Sequence, residues 1–308
     1  MTRRTFPAIL AVGAGALPAL AQTAAQAQTQ TYTLKVVVSG LSKPTGIAID
    51  DDEIYFTEVP SPGMAGSLNA VKKLDLEKGT IKTLHIGEPQ PVNIVVGPDG
   101  SIYWVCMSAG VILKQDDHGV TTTFLAGLHR PSGIAISRKG AVYFTEVPVP
   151  GIPGGANGVF VSPDGVHIQT IHTGEPEPVD VAVAASGDLY WTCRTAGVIL
   201  WRAAQDGMIR VLLSGLSKPT GITLDRKGRN LYFTEVPTPG VPGANGGQNK
   251  VSQYDLRAAK LSLIHFGDPQ PTDVAVSDNG SVYWTCTSAG VIVEATPTRR
   301  KDDEGGGN

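Results

Sequence analysis

The chain has 308 residues, is 41% hydrophobic and 17% charged, and carries a net charge of −3. That composition is globular and excludes a disordered chain. With 28 acidic against 25 basic side chains, no basic surplus exists to recruit nucleic acid or an anionic membrane. The expected partner is a small-molecule ligand or substrate, with no nucleic acid and no membrane, and the expected state is a monomer.

In chain order, residues 1–27 read as an export signal. Arg3 and Arg4 form a short basic region, residues 6–21 are apolar and rich in small side chains, and cleavage is expected after Ala21 or Ala27. Thr2-Arg3-Arg4-Thr5-Phe6 fits a twin-arginine signal in part, so both ordinary secretion and twin-arginine export stand. Either route puts the mature protein in the periplasm or outside the cell. The apolar run is too short to span a bilayer and is interrupted by Pro7 and Pro18.

From residue 32 the chain is a threefold repeat. Gly40-Leu41-Ser42-Lys43-Pro44-Thr45-Gly46 returns at residues 127–133 and 215–221. Tyr55-Phe56-Thr57-Glu58-Val59-Pro60 returns at 143–148 and 232–237. Gly87-Glu88-Pro89-Gln90-Pro91 returns at 174–178 and 267–271, and Tyr103-Trp104-Val105-Cys106 at 190–193 and 283–286. The period is about 90 residues, and each repeat holds two halves of about 44. Both halves open on a proline, alternate apolar residues, turn at an Asp/Gly-rich tip such as Pro98-Asp99-Gly100, and enter an aromatic pair. That is hairpin chemistry, with no amphipathic helix. Six such units predict an all-β six-bladed β-propeller. The last unit has only three strands, and residues 34–39 are a spare strand with the pattern of a fourth. The N-terminal strand is therefore expected to close the last blade. Residues 297–308 are charged, Gly-rich and expected to be disordered.

The pattern Pro44-Thr45-Gly46-Ile47-Ala48-Ile49-Asp50, followed by Ile54-Tyr55-Phe56-Thr57-Glu58, resembles NHL-type six-bladed propellers over about residues 32–296. It is most similar to the gluconolactonase/regucalcin-like and streptogramin (virginiamycin B) lyase-like proteins. The resemblance implies that the first strand of each blade lines a central channel. It also implies that the loops before the first and after the second strand share the ligand face, and that a divalent metal sits at the channel mouth. On that footing, the ring Gly46, Asn93, Gly133, Asp180, Gly221 and Asp273 points Asn93, Asp180 and Asp273 toward the axis. Two carboxylates and an amide suit a hard cation, Ca2+ or Mg2+, with Zn2+ also considered. Local backbone hydrogen bonding is the alternative role for these three.

A second ring, Glu58, Cys106, Glu146, Cys193, Glu235 and Cys286, ends the second strands. Glu58, Glu146 and Glu235 are candidate general bases, or else acceptors for loop N–H groups. Threefold repetition favours the structural role, because an active site normally breaks symmetry. The three cysteines sit on alternate blades, beyond disulfide reach, and read as small buried hydrophobes. His85, His172 and His265 also repeat, as in the zinc-binding peptidyl-hydroxyglycine lyases, but they align with an outer strand. Glu88, Glu175 and Asp268 lie on the incoming loop. In the ring Lys43, Gln90, Arg130, Glu177, Lys218 and Gln270, Glu177 breaks the threefold pattern and is a further catalytic candidate. Pro/Gly-rich loops after Glu58, Glu146 and Glu235 are expected to wall a pocket. No Gly-x-Ser-x-Gly elbow, P-loop or His-Glu-x-x-His occurs.

Two functions follow. One is an exported metal-dependent hydrolase or lyase, acting on a small lactone or ester at the channel mouth. The other is a non-catalytic propeller binding a protein, glycan or small ligand on its Pro/Gly-loop face.

Overall fold

A computed structural model describes residues 31–60, 68–87, 89–147, 157–174, 176–237 and 248–298. The signal segment, most of the Pro/Gly-rich loops, Glu88, Glu175 and all but the start of the charged tail lie outside them. The described chain is entirely β: six four-stranded antiparallel sheets, each ordered consecutively from its first strand outward except the last. This is the six-bladed propeller expected from the repeats. The first strands are Pro44–Asp50, Pro91–Val96, Pro131–Ile136, Pro178–Val183, Pro219–Leu224 and Pro271–Val276, for blades 1 to 6 in turn. Each carries one sheet edge of its blade. The last blade takes its outermost strand from the N-terminus: Tyr32–Val38 pairs antiparallel with Val291–Pro297, in the register Tyr32↔Pro297 to Val36↔Val293.

Strand alternation sends successive side chains to opposite faces of each blade, so the core is six apolar layers between neighbouring blades. Ile47, Ile54 and Phe56 of blade 1 meet Ala275, Tyr283 and Ile292 of blade 6. On its other face Ala48 and Val71 meet Ile94 and Trp104 of blade 2. The odd blades centre on Phe56, Phe144 and Phe233, the even blades on Trp104, Trp191 and Trp284, all 0% exposed. The doubled repeat of the sequence is thus an alternation of Phe and Trp layers.

The residue before every leading proline is in the left-handed region, at φ of 52–57° for Lys43, Gln90, Arg130, Glu177, Lys218 and Gln270. None is a glycine, so each of the six turns carries backbone strain. Each turn is held by its carbonyl, which accepts the N–H just past the second strand, as in Met107 N–H to Gln90 at 3.0 Å and Arg194 N–H to Glu177 at 3.0 Å.

Candidate functional site

The first strands present their unpaired edges to the axis, where exposed N–H groups need partners. Asp180 and Asp273 supply them. Asp180 Oδ2 accepts the Ile222 N–H of the next blade at 2.9 Å, and Oδ1 accepts the Val181 N–H at 2.9 Å. Asp273 does the same for Ile47 at 2.9 Å and Val274 at 2.8 Å. The Asp273–Ile47 bond joins blade 6 to blade 1 and so crosses the closure of the ring. Asn93 occupies the third equivalent place. Its Oδ1 accepts the Ile94 N–H at 2.7 Å, and its Nδ2 donates across the axis to Asp180 Oδ1 at 3.0 Å.

The alternation of this ring has a steric cause. A Cβ on Gly46, Gly133 or Gly221 would lie 2.6, 2.4 or 2.6 Å from the Cα of Asn93, Asp180 or Asp273. Only glycine lets the next blade's polar residue come this close.

Asn93, Asp180 and Asp273 are 8%, 3% and 5% exposed. Burial pushes the Asp273 carboxyl up to about 7. Burial, and then the charge of Asp273, hold Asp180 well above the ordinary carboxylate range. The pair therefore retains a proton at neutral pH.

These three residues lie at the inner end of an axial cavity of about 880 Å³. Its walls are the first strands. Its mouth is formed by their hairpin tips, among them Asp50, Pro98, Arg138, Ala185, Arg226 and Asp278. The leading prolines and the Pro/Gly-rich loops are at the opposite end, because Pro44 pairs with Glu58 while Asp50 pairs with Glu53. The cavity among the described residues thus opens on the face opposite to the one the family resemblance implied.

The expected cation site has the right residues but the wrong donors. All four carboxylate oxygens of Asp180 and Asp273 already accept backbone N–H groups, and Asn93 aims an N–H donor, not its carbonyl, at Asp180. Every one of these oxygens is already engaged by an N–H, whereas Ca2+ or Mg2+ is held by about six or more converging oxygens and Zn2+ by about four nitrogen, sulfur or oxygen donors. Among the described residues no three His, Cys, Asp or Glu side chains gather as ligands for one metal. The residues as arranged do not fit the group.

Glu58, Glu146 and Glu235 do not line the cavity. Each accepts the N–H of a residue two before the leading proline: Ser42 at 2.9 Å, His129 at 2.9 Å and Ser217 at 2.6 Å. Lys72 also pairs with Glu58. Burial raises the carboxyls of Glu146 and Glu235. These glutamates fasten the incoming turn to the second strand. Glu177 lies on the same far face, where it accepts the Thr195 hydroxyl and sits 3.7 Å from Arg194. Gln90 and Gln270 accept Ser108 and Ser288 in the same way, so the break in sequence at Glu177 preserves the local bond.

Cys106, Cys193 and Cys286 are fully buried, and no disulfide joins them. The Cys286 thiol is pushed up to about 12 by burial and then by Asp268, which suits a packed hydrophobe rather than a nucleophile. The histidines stand on fourth strands of three separate blades. His265 lies against Trp284 with ring centroids 6.0 Å apart, and contacts Asp268 at 3.2 Å.

The buried threonines are a set that the motif reading did not single out. Thr57, Thr145 and Thr234 accept the N–H of Gly46, Gly133 and Gly221 at 2.8, 2.8 and 3.0 Å. Thr145, Thr192, Thr234 and Thr285 donate onward to carbonyls of the next blade. Their signal was the invariant third place of Tyr-Phe-Thr-Glu and Tyr-Trp-Thr-Cys. Blade 2 alone departs, with Val105 there and Asn93 on its first strand.

A ring of six antiparallel blades around a polar-floored cavity defines a six-bladed β-propeller with an axial site. No protein-family model matches the chain, and no curated protein matches it in sequence. Solved structures do share the fold. A gluconolactonase from Xanthomonas campestris is 16% identical, with a TM-score of 0.69 over 87% of this chain and 90% of that one. Virginiamycin B lyase from Staphylococcus aureus is 16% identical, with a TM-score of 0.60 over 87% of this chain and 100% of that one. A calcium-binding regucalcin from Agrobacterium tumefaciens is 12% identical, with a TM-score of 0.65 over 89% and 97%. At these identities the likeness is one of architecture.

Proposed function

We propose that this propeller binds a small polar organic molecule in its axial cavity, entering from the hairpin face. The observation that carries the reading is the cavity itself: about 880 Å³, open at one end and floored by Asn93, Asp180 and Asp273. That volume suits a small organic ligand. The repeated polar residues elsewhere are occupied in holding turns to strands and blade to blade. The test is a thermal-shift and isothermal-titration screen of small lactones, esters, sugars and organic acids, repeated on Ala185→Trp. Ala185 is exposed at the mouth, so the indole obstructs the port without touching the core. A ligand that binds both proteins equally would overturn the reading.

Turnover of a lactone or ester is a second reading, favoured by the proton that the buried Asp180 and Asp273 carboxyls retain. A carboxylic acid beside a carboxylate is the pairing that general acid–base hydrolysis or elimination uses. The gluconolactonase and lyase propellers of the same architecture support it. Its test is the pH profile of lactone hydrolysis by the wild type and Asp180→Asn. Activity that survives in the folded variant would remove the pair from the chemistry.

A further inference from the structure

The polar groups along the axis repeat threefold and are satisfied in place. At the mouth of the cavity the repetition breaks. The equivalent tips read Asp50-Asp51-Asp52 in blade 1, Ser137-Arg138-Lys139 in blade 3 and Asp225-Arg226-Lys227 in blade 5. The hairpins also close differently: the last strand pair is Asp50↔Glu53 in blade 1, Ile136↔Val142 in blade 3 and Leu224↔Leu231 in blade 5.

The two arginines are arranged around the opening. Arg138 Nη2 donates to the Arg226 carbonyl at 3.3 Å. It therefore reaches from blade 3 to blade 5, past the small Ala184-Ala185 tip of blade 4. No carboxylate of the described residues pairs with it. Arg226 in turn pairs with Asp278 of blade 6. Asp225 is turned into its own hairpin, accepting the Arg229 N–H at 2.7 Å and the Asn230 amide at 2.8 Å. The acidic groups that face the opening, Asp50, Asp51 and Asp278, stand on blades 6 and 1. Burial, then Asp51 and Glu53, raise the Asp50 carboxyl. The rim is thus divided, cationic over blades 3 to 5 and acidic over blades 6 and 1.

We propose that this rim is an anion-selecting port, in which the Arg138 guanidinium, backed by Arg226, takes the carboxylate or phosphate group of the cavity ligand. The proposal rests on the cavity being the ligand site and adds the charge of what it accepts. Four of the five guanidinium N–H donors of Arg138 remain for a planar or tetrahedral anion. The acidic half repels the same anion, so the ligand is held with its charged end at blades 3 to 5 and its neutral body in the cavity.

The test is isothermal titration of the full chain with succinate, with inorganic phosphate and with neutral dimethyl succinate, at one fixed ionic strength. Fixed salt matters because exposed charges are screened. Either anion is expected to bind at least about tenfold more tightly than the diester, and Arg138→Gln to lose that preference while binding the diester as before. Preference for succinate assigns a carboxylate ligand, and preference for phosphate a phosphoryl one. Arg138 is exposed, so the variant keeps the fold, and an unchanged melting temperature verifies that. The port is overturned if the diester matches the anions, if no probe binds, or if Arg138→Gln keeps the anion preference. Diester binding as tight as that of the anions, and abolished by Ala185→Trp, would refute the port and leave the cavity reading standing.

Discussion

Replacing Asp273 by asparagine separates the charge of this residue from its hydrogen bonds. Its carboxyl is displaced from an ordinary 3.8 to about 7, with burial as the main cause. A folded-state value raised above the unfolded one means stability that is complete below about 3.8 and lost as the pH rises toward 7. A displacement of about three units corresponds to on the order of 4 kcal/mol. The amide does not titrate, so Asp273→Asn escapes that loss. It has a single oxygen, however, and must abandon either the Ile47 or the Val274 N–H, at about 1–3 kcal/mol. The variant is therefore expected to be less stable than the wild type near pH 4, and equal or more stable at pH 8, with the curves crossing between. Urea unfolding followed by tryptophan fluorescence from pH 4 to 9 measures the difference directly. Asp75, Asp99, Asp164 and Asp206 are held low by their hydrogen bonds and ion pairs. They impose the opposite trend at acid pH, but it cancels in the difference. A difference independent of pH would show that Asp273 is not a buried, proton-retaining group.

Other outcomes can be checked alongside. Gly133→Ala puts a Cβ 2.4 Å from the Asp180 Cα and is expected to cost about 3 kcal/mol or more in denaturant unfolding. Gly119→Ala, with open space around it, lacks that clash, keeps only the strain of its positive φ and is the milder control. Deleting residues 32–38 strips Val291–Pro297 of its partner and should lower the melting temperature or drive edge-to-edge association, seen by light scattering. Elemental analysis of protein purified without chelator is expected to give no stoichiometric calcium, magnesium or zinc. About one ion per chain, lost in Asp180→Ala, would mean that the hydrogen-bonded floor rearranges around a cation. If residues 1–27 are an export signal, N-terminal sequencing of protein recovered from the periplasm or medium should begin at Gln22 or Gln28.

The architecture was legible because it is periodic. A proline, an alternating apolar run, a Gly/Asp tip and an aromatic pair, repeated six times, admit one arrangement in which every apolar face meets another. The surplus strand at residues 34–39 and the missing strand after residue 296 implied each other. Local patterning also located the ring of Asn93, Asp180 and Asp273 and suggested that Glu58, Glu146 and Glu235 are structural. What sequence could not decide is which carboxylate oxygens are already engaged. Asp180 and a metal-binding aspartate look the same until the Ile222 N–H of the next blade is seen to occupy it. Nor could sequence say at which end the cavity opens, because that depends on how six first strands converge around an axis. It is likewise the closing of the ring that gathers Arg138, Arg226 and Asp278, far apart along the chain, at one opening. Local pattern dictates strands and turns because those are contacts between near neighbours. Donor saturation, cavity direction and rim charge arise between blades, and only the closed ring defines them.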